Sequence, residues 1–365
     1  MKNMLTRTAL VSSVILSVSA VAQAQTTVTG NVALSFKAVS SDGTSTAANN
    51  FRSFGKESQI NLTNKGKIGG WDYQAGFSLE FDGNDSTANN GTAAANGTTL
   101  DGVFNENTYI DFTTPGSKTT ITIGADHIQN ADFTMTNLVG GVDQDDLVSG
   151  INNKATAFAA AKNSNYGAYG IGVVQDVGVG KVSFNYTPSR STGNAMNDQT
   201  AISTTAPNTT TANFDNGESA YEIGFRGDAG VKGLDVAFFY NNSHGGAALG
   251  GVSDLKGRMY AAKYNFGQIT VAGERGVQTA VATGFDTVSD SAAIGYAIDK
   301  EWTIALSESR TKIDQGTSKE KIRALSVGYA LGPISASVNY GRVDNIANNL
   351  GMDGEAVMGR VNVNF

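Results

Sequence analysis

Four aspartates stand near one another in this chain, Asp132 and then Asp143, Asp145 and Asp146 behind Gly140-Gly141-Val142. Carboxylates grouped this way form either a ring of negative charge on a permeation path or a solvated surface turn. The cations that would answer them are spread along other segments: Lys37, Arg226 and Arg360, with Arg52 and Lys56 beside a long connection. Histidine occurs twice, as His127 and His244, each where an alternating segment gives way to a polar stretch. Ser243-His244 is adjacency in sequence, whereas hydrolysis needs hydroxyl, imidazole and an orienting group facing one another, so no enzyme is expected. Cysteine is absent, which removes thiolate metal sites, disulfides and thiol nucleophiles. Asp82-Gly83-Asn84-Asp85 lacks the spacing of a calcium loop and reads as a turn or as a contact with a divalent ion bridging to lipopolysaccharide. No cofactor and no metal centre is implied.

The elements that must carry these residues announce themselves by period. Of 365 residues, 40% are hydrophobic and only 16% charged, with 44 Gly and 4 Pro. That composition argues against disorder, collagen and a bundle of membrane helices. The formal charge of -7 makes nucleic acid an unsuitable partner, since phosphate binding needs a basic surface. Lys2 and Arg7 precede an apolar stretch from Ala9 to Ala22, followed by Ala22-Gln23-Ala24. This is the pattern of a secretory signal spanning residues 1–24 and cleaved after Ala24; the alternative, a membrane anchor, is too short. Residues 25–365 then form the mature barrel domain.

Beyond residue 25 apolar or aromatic residues alternate with small or polar ones. Val28, Gly30, Val32, Leu34 and Phe36 share one face, with Thr29, Asn31, Ala33, Ser35 and Lys37 on the other. Trp71, Tyr73, Ala75, Phe77, Leu79 and Phe81 likewise oppose Asp72, Gln74, Gly76, Ser78, Glu80 and Asp82. Sixteen such segments predict strands near residues 26–40, 54–65, 71–83, 104–114, 118–126, 163–177, 181–190, 218–228, 234–243, 257–266, 268–276, 287–298, 301–313, 320–331, 333–343 and 353–365. Short connections follow the even strands and long Asn-, Thr-, Asp- and Gly-rich ones the odd strands, the third long one covering residues 127–162. A soluble sandwich does not require this alternation of turn and loop. A barrel closed in lipid does, because hydrocarbon leaves no partner for an open sheet edge. Sixteen strands enclose a lumen too wide for side chains to fill, hence a water-filled channel.

With its Ala22-Gln23-Ala24 signal, its final strand Val357-Met358-Gly359-Arg360-Val361-Asn362-Val363-Asn364-Phe365 and its long third loop, the chain resembles the Gram-negative trimeric general porins over nearly the whole mature length. The resemblance implies an all-β transmembrane antiparallel barrel of 16 strands in the cell outer membrane, with short periplasmic turns and long extracellular loops. It further implies a third loop folded into the lumen, a homotrimer, and a role for Phe365 in the signal read by the outer-membrane assembly machinery. Phe365 also reads simply as a lipid-covering aromatic at the rim. Relatives carry Pro-Glu-Phe-Gly-Gly-Asp at the loop tip; only Gly140, Gly141 and, after an inserted Val142, Asp143 match.

The expected solutes are ions and small hydrophilic molecules crossing by passive diffusion, with lipid and lipopolysaccharide around the barrel. A solute-selective channel for sugars or organic acids and a non-conducting adhesin or structural barrel remain as alternatives. Parity places Glu57, Asp72, Glu80, Asp82, Asp111, Asp126, Glu222, Asp228, Asp235 and Glu274 toward the lumen, against Lys37, Lys181, Arg226, Lys263 and Arg360. With the loop aspartates added, a weak cation preference is expected.

Overall fold

The computed structural model describes residues 25–41, 50–81, 104–115, 118–125, 147–148, 169–188, 219–244, 254–281, 284–314 and 316–365. Alternation turns into sixteen strands: β1 (Gln25–Ser41), β2 (Asn50–Ile68), β3 (Trp71–Glu80), β4 (Phe104–Thr113), β5 (Thr119–Ala125), β6 (Tyr169–Asp176), β7 (Lys181–Thr187) and β8 (Ala220–Gly227). The second half is β9 (Leu234–Ser243), β10 (Leu255–Phe266), β11 (Ile269–Ala280), β12 (Phe285–Ala297), β13 (Trp302–Ile313), β14 (Glu320–Leu331), β15 (Ile334–Asp344) and β16 (Gly354–Asn364). Each pairs antiparallel with its neighbours in sequence, and β1 pairs with β16, so the sheet closes and has no edge. Ladder groups thus find their partners within the wall, as hydrocarbon demands, with one register shift between β3 and β4 at Phe77 and Leu79.

Closure is completed by the last residue. Phe365 N–H donates to the Gly30 carbonyl at 2.9 Å, and Gly30 N–H donates to the Phe365 carbonyl at 2.9 Å. The Phe365 ring covers Gly30, where an added Cβ would come within 2.8 Å of Phe365 Cζ and 2.3 Å of the Gln59 carbonyl oxygen. Any larger residue at 30 would have to displace either the ring or a neighbouring strand.

One end of the barrel carries tight turns. Gly69 and Gly70 join β2 to β3 with positive φ of 56° and 86°, a conformation that any other L-residue adopts only with strain. Aspartates close three other turns: Asp176 Oδ1 accepts from Gly178 N–H at 2.7 Å, Asp228 Oδ1 from Gly230 N–H at 2.8 Å, and Asp299 Oδ1 from Trp302 N–H at 2.7 Å. Asp228 is therefore a turn residue beyond the end of β8 rather than a lumen residue. In β2 the ladder runs three residues past the expected end, to Ile68, which carries Lys65 and Lys67 onto the inner face.

The two faces differ as the alternation requires. Val28, Leu34, Phe54 and Val338 on the outer face are 58%, 61%, 79% and 63% exposed. The inner face of the same sheet is lined by small or polar residues such as Ala33, Ser78, Thr122, Ser291, Ala305 and Asn339, all buried. Outside, Trp302 and Tyr329 pair at 4.7 Å between ring centroids, and Phe36 packs on Phe54 at 5.2 Å. Aromatic rings of this kind belong where hydrocarbon meets the polar boundary.

Candidate functional site

Register decides which charges line the lumen. Ala33, buried on the inner face, stands opposite Glu57 on β2 and Asn362 on β16, so Glu57 and the residues in step with it point inward. By the same step Lys37 faces in beside Ser53 and Met358, and Arg360 beside Ser35 and Ser337. Arg360 Nη2 reaches across β1 to Glu57 Oε2 at 2.8 Å, so this wall cation is balanced by a neighbouring carboxylate. Lys56 lies opposite Leu34 and Arg52 opposite Ala38, both on the outer face.

Asp111 is inward on β4, where its Oδ1 accepts from Thr122 Oγ1 at 2.6 Å. Next to it Gln74 Nε2 donates to Tyr109 Oη at 2.6 Å, and Tyr109 lies over Gly76 and Gly124, which have no room for a Cβ. Glu80 stands opposite Gln59 at the loop end of β3. Near the turn end, Asp235 takes a two-pronged contact from Arg226, at 3.2 Å from Nε and 2.7 Å from Nη2, and lies 3.7 Å from Lys263 Nζ. Lys67 Nζ is 2.8 Å from Asp72 Oδ1, and Lys118 Nζ is 3.5 Å from Asp176 Oδ1. A guanidinium fork on a carboxylate holds geometry well and leaves little net charge.

Three inner-wall charges stand outside the sequence-based inward count besides Asp176. Lys65 ends the expected strand 54–65, Lys67 falls in the expected turn, and Glu320, the first residue of β14, is inward because Leu325, Val327 and Tyr329 of that strand are outward. Parity applied to the ends of the expected strands finds Lys65, Asp176 and Glu320, and two residues more finds Lys67. Among the described strand residues the inner wall thus holds nine acids (Glu57, Asp72, Glu80, Asp111, Asp176, Glu222, Asp235, Glu274, Glu320) and seven bases (Lys37, Lys65, Lys67, Lys181, Arg226, Lys263, Arg360). Seven of the ten expected acids and all five expected bases are among them; Asp228 is in a turn, and Asp82 and Asp126 are not among the described residues. Ala24, Asp82, Asp126, His127, Asp132, Asp143, Asp145 and Asp146 lie outside the described residues.

From the segment between β5 and β6, Leu147 and Val148 are described, and both are fully buried. They pack with Val39, Ile322, Ala324, Val343, Ala356 and Met358, on the inner face of β1 and β14–β16. Gly341 of β15 makes room for them, since a Cβ there would meet Leu147 Cδ2 at 2.9 Å and Val148 Cγ1 at 3.0 Å. That wall lies four to seven strands round the barrel from β5. The contact was not foreseen, because two apolar residues after an acidic run carry no periodic signal.

Ser243 is buried on the inner side and its hydroxyl donates to the Leu255 carbonyl at 3.4 Å, while the exposed His244 ring sits 3.3 Å from Asp254 Oδ2. Hydroxyl and imidazole are engaged separately, which is not the arrangement of a catalytic triad.

The sequence model of the Gram-negative porins matches residues 8–349. Compared with curated protein sequences, the chain has no significant match. Among solved structures, the anion-selective porin from Comamonas acidovorans superposes with a TM-score of 0.66 at 15% identity, covering 94% of this chain and 100% of that one. A variant of the Rh. blastica porin gives 0.57 at 14%, covering 93% and 100%. The Salmonella typhi OmpF complex with daunomycin gives 0.58 at 13%, covering 93% and 97%. At these identities the likeness is one of fold.

Proposed function

Since the chain belongs to the Gram-negative porin family, we propose that its outer-membrane channel is weakly cation-preferring and is narrowed by the segment between β5 and β6. The barrel is an outer-membrane channel for passive diffusion, and the family is one of channels rather than enzymes. The observation that carries the constriction is the seat of Leu147 and Val148 on the far inner wall. In sequence they directly follow Asp143, Asp145 and Asp146, so a loop pinned there brings that acidic run toward the permeation path.

Cation preference rests on those aspartates together with Asp132, and on the small acid excess of the wall. Counter-charges such as Arg360 against Glu57 and Arg226 against Asp235 mute the remainder. At physiological salt the Debye length is about 8 Å, so only charges near the narrowest section bias the current. The same reading carries an N-terminal signal cleaved after Ala24, a symmetric homotrimer, contact with lipopolysaccharide, and assembly through Phe365, whose ladder bonds and ring close the barrel. Reversal potentials under a KCl gradient test the preference: a cation-side potential that shrinks in Asp143→Asn with Asp145→Asn and Asp146→Asn supports it, and an anion-side potential in the wild type refutes it.

A further inference from the structure

Two carboxylates of the inner wall are fully buried, Glu222 on β8 and Glu320 on β14. Glu222 is set among side-chain oxygens. Asn185 of β7 stands directly opposite it on one side and Asn241 of β9 on the other, and the next inward positions toward the loops are Thr187, Ala220 and Ser243. Asn185, Thr187 and Asn241 are buried as well. Asn185 Nδ2 donates to Glu222 Oε2 at 3.3 Å, which lays the amide along the carboxylate and leaves Asn185 Oδ1 beside it. Among the described residues neither Asn185 Oδ1 nor Thr187 Oγ1 receives a hydrogen bond.

Nearby hydroxyls are spent elsewhere. Ser183 Oγ donates to the Gly224 carbonyl at 3.4 Å, and Ser243 Oγ to the Leu255 carbonyl at 3.4 Å. On the inner face of β7–β9 the nearest basic residues are Lys181 and Arg226, which stand toward the turns from Asn185 and Glu222 by a strand length of about 13 Å at about 3.3 Å per residue. Arg226 is committed to Asp235. The wall around the carboxylate also lacks bulk, with Gly172 opposite Asn185, Ala220 and Gly224 flanking Glu222 along β8, and Gly257 opposite Asn241. Buried oxygens therefore border space that no long side chain of these strands fills.

Acceptors gathered without donors are the surroundings of a hard cation. A buried carboxylate is held by a positive charge or by donated hydrogens, and a buried amide or hydroxyl oxygen likewise needs something electron-poor against it. Carboxylate, amide carbonyl and hydroxyl are oxygen ligands of the kind Ca²⁺ takes, about six to eight of them at about 2.3–2.6 Å, with water completing a flexible shell. Mg²⁺ requires a tighter octahedron and gives up its water reluctantly, and softer metals favour imidazole or thiolate, neither of which stands beside Glu222. A water molecule could donate to either neutral oxygen, but it would bring no charge to the carboxylate.

We propose that the inner wall at the loop end of β7–β9 binds one Ca²⁺ ion, with Glu222 as the charged ligand, the side-chain oxygens of Asn185, Asn241 and Thr187 as neutral ligands, and water in the remaining positions. A single carboxylate makes this a weak site, with a dissociation constant on the order of 10⁻⁴–10⁻³ M. It lies on strands remote from the seat of Leu147 and Val148 on β1 and β14–β16, and is independent of that seat. A bound Ca²⁺ reverses the sign of the local charge, so the cation preference of the lumen falls as Ca²⁺ is added.

The test is titration of the chelator-stripped full chain in detergent with CaCl₂, read by calorimetry, and separately with MgCl₂. The wild type should take up one Ca²⁺ per chain at this site and bind Mg²⁺ roughly tenfold more weakly. Glu222→Gln should weaken Ca²⁺ binding roughly tenfold or more, and Thr187→Val, which removes the hydroxyl at constant shape, several-fold. Should Glu222→Gln fail to fold, Asn185→Ala with Thr187→Val gives the same reading from the neutral ligands. The outward Asp290→Asn and the combined Asp143→Asn, Asp145→Asn and Asp146→Asn should leave this uptake in place. Undiminished uptake by Glu222→Gln, Mg²⁺ bound as tightly as Ca²⁺, or uptake abolished by the combined aspartate changes would each overturn the proposal. A conducting barrel that takes up no Ca²⁺ would sink this site alone, and a barrel that takes up Ca²⁺ without conducting would count against the channel reading and leave the site standing.

Discussion

Strands β1–β4 and β7–β11 point charges into the lumen, whereas β12, β13 and β15 line it with neutral residues, β14 adds Glu320 at its loop end, and all four of β12–β15 carry charges outside. Inside β12 and β13, Ser289 pairs with Thr311 at 3.0 Å and Ser291 with Ser309 at 2.8 Å. Outside, the same strands hold Arg275 against Asp290 from β11 at 3.4 Å and Glu308 among Arg310, Lys321 and Arg323. One alternation rule built both regions, so the contrast records which medium each face meets. Charge inside faces the aqueous lumen, and charge outside is held in ion pairs between neighbouring strands.

The comparison breaks most visibly if closure is removed. Deleting Phe365 takes away two ladder bonds and the ring over Gly30. Folded, heat-modifiable protein in the outer membrane should fall several-fold, and unchanged levels would deprive Phe365 of an assembly role. A charge placed on either face of the β13–β15 wall sharpens it. Leu306→Arg, outward and below Glu308, should destabilise the barrel by about 2–4 kcal/mol in urea-driven unfolding from vesicles, as expected for a cation facing mid-bilayer. Ser335→Arg, inward on β15, should stay within about 0.5 kcal/mol and lower conductance instead. Equal effects would mean that the faces are misassigned.

Much of this was legible in the sequence because period two is a physical signal: Val28 to Phe36 face lipid in the structure as the alternation said, and the strand count matches. Charge balance was less legible, since Lys65, Lys67, Asp176 and Glu320 sit at strand ends, where turn and ladder compete and parity alone sets no limit. The seat of Leu147 and Val148 was invisible, because it depends on a wall distant in sequence and on the absence of a side chain at Gly341. The outer charges were readable residue by residue, yet their pairing across strands emerges only when β13, β14 and β15 are laid in register.

A smaller change tests the seat of the segment between β5 and β6. Leu147→Asp with Val148→Asp buries two carboxylates against Ile322 and Met358 and should release the segment, raising single-channel conductance and the size limit for solutes. Excision of most of residues 132–148 should do the same to a greater extent. The smallest effect is expected from Asp235→Asn, which leaves Arg226 and Lys263 without their carboxylate and should shift the reversal potential a few millivolts toward anions, within the screening set by salt.

Single-channel recording of the purified protein in planar bilayers, in a KCl gradient, addresses the central claim most directly. The account predicts stepwise, ohmic openings without saturation, and a modest cation-side reversal potential that declines as salt rises. Absence of conductance steps from correctly folded barrels, or a current blocked saturably by one class of sugar or organic acid, would contradict it.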